Sequence, residues 1–123
     1  TGRPRRVGPF DVVASRYGIR CQGADEIALT KLDVLSDYDE IEVCTAYERN
    51  GEEIGEFPTT AILNECKPVI KTVKGWHTDI SKCRKKEDLP KQALDYIKYL
   101  EKACECKISY VSVGPEREAY VKL

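Results

Sequence analysis

The chain has 123 residues, of which 20 are basic and 21 acidic, for a formal net charge of −1. That length allows one domain, residues 1–123, with a core that buries roughly two thirds of the unfolded surface. The balanced charge excludes bulk electrostatic attraction to nucleic acid or an anionic membrane, and no run approaches the roughly 20 apolar residues of a membrane span.

A chain that begins at Thr1 and holds no methionine reads as processed, or as part of something longer. Residues 1–8 read as an irregular loop, broken by Gly2, Pro4 and Gly8. Arg3, Arg5 and Arg6 sit there without an acid, so the near-neutral total hides a basic arm. Asp11 can cap a helix to about Cys21, with Val13, Tyr17 and Cys21 as its inner stripe and Gly23 to end it. Ile27-Ala28-Leu29 reads as a buried strand that runs out into Thr30-Lys31-Leu32-Asp33. From Ile41 to Arg49 the pattern alternates, with Ile41, Val43, Thr45 and Tyr47 on one face. Asn50-Gly51 follows, a strong hairpin signal, so Glu52–Phe57 is the expected return strand.

Pro58-Thr59-Thr60 opens a short helix to about Cys66, which Pro68 breaks, and a strand is expected over Val69–Val73. Asp88-Leu89-Pro90 starts a second long helix, with Pro90 in its first turn and Leu94, Ile97, Leu100 and Cys104 on its apolar face. Lys91 and Asp95 stand at ion-pair spacing on it. Lys107–Val113 alternates again, with Ile108, Tyr110 and Ser112 against Ser109, Val111 and Val113; Gly114-Pro115 stops it, and Tyr120-Val121 adds a last strand. The order predicts an α+β (mixed α/β) domain, helices packed on a small mixed sheet with a β-hairpin. The six cysteines form no Cys-x-x-Cys, and His77 has no cysteine at zinc-ligand spacing. Reduced thiols are expected.

Three segments carry chemistry. In Thr30-Lys31-Leu32-Asp33, Asp33 follows a strand's carboxyl end, where open α/β sheets bind ligands. A carboxylate there can accept from the N1–H and 2-amino groups of guanine, and the Lys31 stem can lie over the ring. Guanine-nucleotide proteins use an Asn-Lys-x-Asp of this kind, with Thr30 here in place of the Asn. Taken alone, such a segment is more often a solvated turn. In Ser112-Val113-Gly114-Pro115, Gly114 permits close backbone approach to a flat ring, though an ordinary strand-ending turn reads the same way. In Thr1-Gly2-Arg3-Pro4-Arg5, residues two apart in an extended chain point the same way. Arg3 and Arg5 can therefore clamp a dicarboxylate or phosphate; a solvated basic arm is the alternative.

Together these segments resemble the C-terminal domain of the adenylosuccinate synthetase family, over essentially the whole chain. The likeness rests on TGRPRRVGPFD at 1–11, LTKLDVL at 29–35, EVCTAY at 42–47, Phe57-Pro58, Gly75-Trp76, DLP at 88–90 and SVGPERE at 112–118. Pro9-Phe10 departs from it where the family usually carries a tryptophan. The resemblance implies a GTP-dependent ligase that joins IMP to L-aspartate, with Mg²⁺ bound, in a cytoplasmic homodimer. It implies that Thr1, Gly2, Arg3, Pro4 and Arg5 form the aspartate loop, that Arg3 also touches IMP, and that Arg5 reaches the GTP phosphates. It assigns Lys31, Leu32 and Asp33, with Ser112, Val113 and Gly114, to the guanine base. The family's general base, phosphate loop, catalytic histidine and metal ligands have no match here, so this chain alone is expected to be inactive. A stand-alone guanine-nucleotide-binding module is the alternative; neither nucleic acid nor membrane is an expected partner.

Overall fold

The computed structural model describes residues 2–4 and 7–123. Strand β1 (Phe10–Asp11) leads into helix α1 (Val12–Gln22), followed by β2 (Glu26–Leu29) and a 3-10 turn, Leu32–Leu35. The long β3 (Glu40–Arg49), β4 (Glu52–Ile54), α2 (Thr60–Leu63) and β5 (Lys67–Lys74) come next. A 3-10 turn at Lys86–Asp88, α3 (Lys91–Cys104), β6 (Lys107–Ser112) and β7 (Tyr120–Lys122) complete the chain. The predicted α+β class holds, but the strands divide into two sheets. In one, β3 pairs antiparallel with β5 and β4 and parallel with β1; in the other the order is β2-β6-β7.

Local chemistry explains most boundaries. Asp11 Oδ1 accepts the Ala14 N–H at 2.9 Å and caps α1, and Gly23, at φ 61°, closes it with its N–H on Arg20 and Ile19 carbonyls. Asn50 and Gly51 both have positive φ, 55° and 82°, as a tight two-residue hairpin requires. The return strand is shorter than expected. It stops at Ile54, and the chain turns so that Phe57 stacks on Tyr17 with ring centroids 5.0 Å apart. Helix α2 ends at Leu63, short of Cys66, and Pro68 lies inside β5 opposite Tyr47. Among the described residues β5 pairs only with β3, and an edge strand tolerates a residue that has no N–H. Pro90 caps α3 from outside its first turn, and Asp88 instead accepts the Arg84 and Lys85 N–H groups, each at 3.0 Å. The expected Lys91–Asp95 ion pair does not form.

Two expected faces are corrected. On α1, Val12 and Val13 are buried while Tyr17 and Cys21 are exposed. A strict four-residue repeat drifts by about 40° per step around a 3.6-residue helix, so the far end of the stripe leaves the core. On β3, the pairing with β5 slips between Cys44 and Ala46, leaving Thr45 as an extra residue. The slip shifts the alternation, and Tyr47 joins Cys44 and Val13 in a small cluster instead of following Ile41 and Val43. The main core lies between the two sheets and α3 and includes Leu29, Leu32, Val43, Ile80, Leu100, Ile108, Val111 and Val121. All six cysteines are free thiols; Cys44, Cys83, Cys104 and Cys106 are buried and Cys66 half-buried, while Cys21 is exposed.

Gly75 closes the start of β3 against the end of β5. Its N–H donates to the Asp39 carbonyl at 2.7 Å, and a Cβ there would collide with the Tyr38 carbonyl. Gly75→Ala is expected to cost about 3 kcal/mol, read as a lowered urea midpoint. Gly55→Ala, where an added Cβ meets nothing within 4 Å, should leave that midpoint nearly unchanged. Burial pushes the Cys104 thiol from 9.0 up to about 11. The fold thus favours the neutral thiol. Its contribution is intact below pH 9.0 and is lost as pH rises through about 11. Urea midpoints should accordingly fall above pH 9, and Cys104 should resist alkylation under native conditions that label the exposed Cys21.

Candidate functional site

The parallel pairing of β2 and β6 builds the site. Ile27 lies beside Ile108, Ala28 beside Tyr110 and Leu29 beside Val111, so both strands run out at the same end of the sheet. The segments that follow them, Lys31–Asp33 and Ser112–Gly114, emerge as neighbours, although 81 positions separate Lys31 from Ser112. The Lys31 N–H donates to Ser112 Oγ at 2.8 Å and joins the two loops directly.

Each loop has a fixed shape. Lys31 adopts the left-handed conformation, φ 62° and ψ 38°, which costs a residue with a Cβ about 1 kcal/mol. That reversal sends Leu32 into the core, where it is 1% exposed, and starts the 3-10 turn in which the Ser36 N–H reaches the Asp33 carbonyl at 3.1 Å. Leu32 is therefore an anchor that holds the loop down, and its full burial contributes about 2 kcal/mol. Lys31 is exposed and Asp33 half-buried; neither side chain has a hydrogen-bond or ion-pair partner among the described residues. An ionised Asp33 is acceptor-only, and so it suits a ligand edge that offers two N–H donors.

The second loop is closed on itself. The Val113 N–H donates to the Ala119 carbonyl at 2.8 Å, and the Ala119 N–H to the Glu116 carbonyl at 3.0 Å. Val113 is fully buried, so it acts through its backbone. A Cβ on Gly114 would stand 3.0 Å from both Ala119 Cβ and Glu116 Oε2, a tight approach that requires those side chains to shift. The Gly114 N–H has no backbone acceptor among the described residues, which leaves a donor at the loop tip.

Sequence reasoning missed what flanks this site. Tyr120 stands opposite Ser112 on β7, and Lys122 opposite Tyr110. The two tyrosine rings meet edge to face at 5.9 Å, with Lys122 Nζ 5.9 Å from the Tyr110 ring. Tyr120 and Lys122, with Arg84 and Glu118, line an open cavity of about 400 Å³. Alternation groups Tyr110 with Ile108, but the register of β6 with β2 slips at Ser109, so Ile108 is buried while Tyr110, Tyr120 and Lys122 are exposed.

In the basic arm, Thr1, Arg5 and Arg6 lie outside the described residues, so the Arg3–Arg5 clamp has no geometry here. Gly2 has φ 66°, and Arg3 and Pro4 are exposed. The base of the arm is tied down. Phe10 and Asp11 pair with Val43 and Cys44, and Asp11 Oδ2 accepts the Tyr47 hydroxyl at 2.6 Å. Burial, followed by that bond to a carboxylate, raises the Tyr47 pKa and keeps the phenol a donor. His77 is exposed with Nδ1 3.5 Å from Asp39 Oδ1, while Trp76 beside it is buried against Tyr96. Among the described residues no three acidic, imidazole or thiol side chains converge to hold a metal. No helix among the described residues is long and apolar enough to cross a membrane.

A family model described as adenylosuccinate synthetase matches residues 1–121. The chain belongs to the adenylosuccinate synthetase family. An adenylosuccinate synthetase of Synechococcus elongatus is 51% identical over 119 residues, 96% of this chain and 27% of the relative. That of Geotalea daltonii is 47% identical over 124 residues, which cover all of this chain and 29% of the relative. A fully ligated adenylosuccinate synthetase from Plasmodium falciparum superposes with a TM-score of 0.91 at 37% identity, over 98% of this chain and 30% of that one. The chain thus spans under a third of the length of the synthetases it matches.

The Tyr47–Asp11 bond links the arm's base to the central strand. Tyr47→Phe is expected to destabilise the fold by about 1.5 kcal/mol, the worth of a hydrogen bond to a charged group, measured by urea denaturation. A midpoint equal to wild type would show that Asp11 does not depend on it.

Proposed function

We propose that this chain is the C-terminal portion of an adenylosuccinate synthetase and supplies the guanine-binding wall and the aspartate loop of the enzyme. The full reaction is GTP-dependent. The γ-phosphoryl group passes to O6 of IMP, and the L-aspartate amine then displaces that phosphate to give adenylosuccinate, GDP and phosphate. The observation that carries this reading is the bond between the Lys31 amide and Ser112 Oγ, because it brings the two guanine segments to one place.

In this reading Asp33 accepts from N1–H and the 2-amino group of guanine, the Lys31 stem covers one face of the ring, and the Gly114 N–H meets the ring's carbonyl oxygen. Leu32 and Val113 hold the two loops in the core. Arg3, with Thr1, Gly2, Pro4 and Arg5, closes on aspartate. Arg3 also contacts IMP, and Arg5 extends to the GTP phosphates. Paired guanidiniums orient a dicarboxylate while its amine stays free to attack, and positive charge near the phosphoryl group stabilises its transfer. The described residues hold no cluster that fits a magnesium site; in this reading Mg²⁺ is held by residues outside this chain, and no step here runs through it. A cytoplasmic homodimer belongs to the same reading, as does the inactivity of the 123-residue chain on its own.

Asp33→Asn in the complete synthetase tests it. The amide replaces an acceptor with a donor, so kcat/KM for GTP should fall about thirtyfold, equivalent to about 2 kcal/mol. Use of xanthosine triphosphate, whose base offers a carbonyl oxygen in place of the 2-amino group, should improve. Unchanged GTP kinetics would overturn the assignment, and adenylosuccinate formation by the isolated chain would overturn its predicted inactivity.

A further inference from the structure

The guanine reading gives Ser112 a contact with the base. The geometry points to a second role: we propose that Ser112 is a positioning residue that sets nucleotide selectivity by holding Lys31 in its left-handed conformation and so fixing where Asp33 stands. This proposal rests on the guanine reading and deepens it.

Four observations carry it. Lys31 has φ 62°, a conformation that residues with a Cβ rarely adopt. No side chain caps the 3-10 turn that begins at Leu32, so the turn has no local device to hold its entry. Among the described residues the Lys31 N–H donates to Ser112 Oγ at 2.8 Å, on a strand 81 positions away. Asp33 follows two residues after Lys31, within the first turn, and its carboxylate has no partner of its own among the described residues. The Asp33 side chain is therefore aimed by the backbone, and the backbone is held by the serine. Accepting the Lys31 N–H leaves the Ser112 O–H without an acceptor among the described residues. The same hydroxyl can thus hold the loop with its lone pair and offer its proton outward.

The two roles predict different selectivities. Guanine and hypoxanthine share the carbonyl oxygen and N1–H, and only guanine has the 2-amino group. A serine that acted only by donating to the carbonyl oxygen would serve GTP and inosine triphosphate equally. A serine that aligns Asp33 serves GTP more, because two aligned bonds depend on the carboxylate rather than one.

The test uses the complete synthetase, with kcat/KM measured for GTP, inosine triphosphate and ATP in wild type, Ser112→Ala, Ser112→Thr, Asp33→Ala and the Ser112→Ala/Asp33→Ala double variant. The expected result is that Ser112→Ala lowers the GTP-to-inosine-triphosphate ratio about tenfold, that Ser112→Thr, which keeps the hydroxyl, restores most of it, and that the double variant's ratio is no lower than that of Asp33→Ala. Hydrogen exchange of the peptide over residues 29–35 should speed up in Ser112→Ala and stay slow in Ser112→Thr. Equal losses for GTP and inosine triphosphate in Ser112→Ala, or unchanged exchange at that peptide, would overturn the positioning role and leave the guanine site in place. A wild-type enzyme that uses ATP as well as GTP would instead overturn the guanine reading itself.

Discussion

The side-by-side run of β2 and β6 is the constraint on which the candidate site depends. Parallel strands cannot be joined by a tight turn, and the intervening chain forms β3, β4 and β5 of the other sheet and helix α3 before it returns. Those intervening elements then pack on the pair they separate. Leu29 and Val111, adjacent in the register, lie in the same core as Val43 of the other sheet and Leu100 of α3. The loops at the strand ends are held close to the core by their anchors, Leu32 beside Lys31 and Asp33, and Val113 beside Ser112 and Gly114, both of them buried.

The second organising element is β3, which serves both sheets' surroundings. Ile41 and Val43 face the main core, while Cys44 and Tyr47 face the smaller cluster beneath α1 and Phe57. The extra residue at Thr45 makes this possible in one strand. Tyr47 then reaches Asp11, whose two oxygens serve two elements: one caps α1 and the other holds the tyrosine hydroxyl. The arginine arm thus leaves from a point fixed by a strand, a helix cap and a phenol.

Local signals made much of this legible. Asp11 and Gly23 mark the ends of α1, Asn50-Gly51 marks the hairpin, and the period of Ile97, Leu100 and Cys104 marks α3. All of these are short-range preferences written in adjacent residues. What escaped needed partners from elsewhere. Nothing near Thr45 announces a bulge, which arises from its pairing with β5. Tyr17 and Cys21 fit a helical stripe, but what packs beside α1 decides how far round the helix burial extends. Pro68 reads as a breaker until β5 proves to be an edge. At the site, residue identities pointed to guanine chemistry, and the resemblance joined them into one function. The bond from Lys31 to Ser112 and the Tyr110–Tyr120–Lys122 face lay beyond any local pattern.

The 81-position span between Lys31 and Ser112 also bears on folding kinetics. Contacts of such high sequence separation form late, after the entropy of closing the intervening chain has been overcome. Helix α1, the hairpin and α3 can all nucleate locally, yet none of them assembles the two loops. The loop-to-loop bond therefore reports on the completed pairing of β2 with β6 rather than on any locally formed element. A ligand that needs both loops would recognise only finished molecules and, by mass action, draw the population toward them.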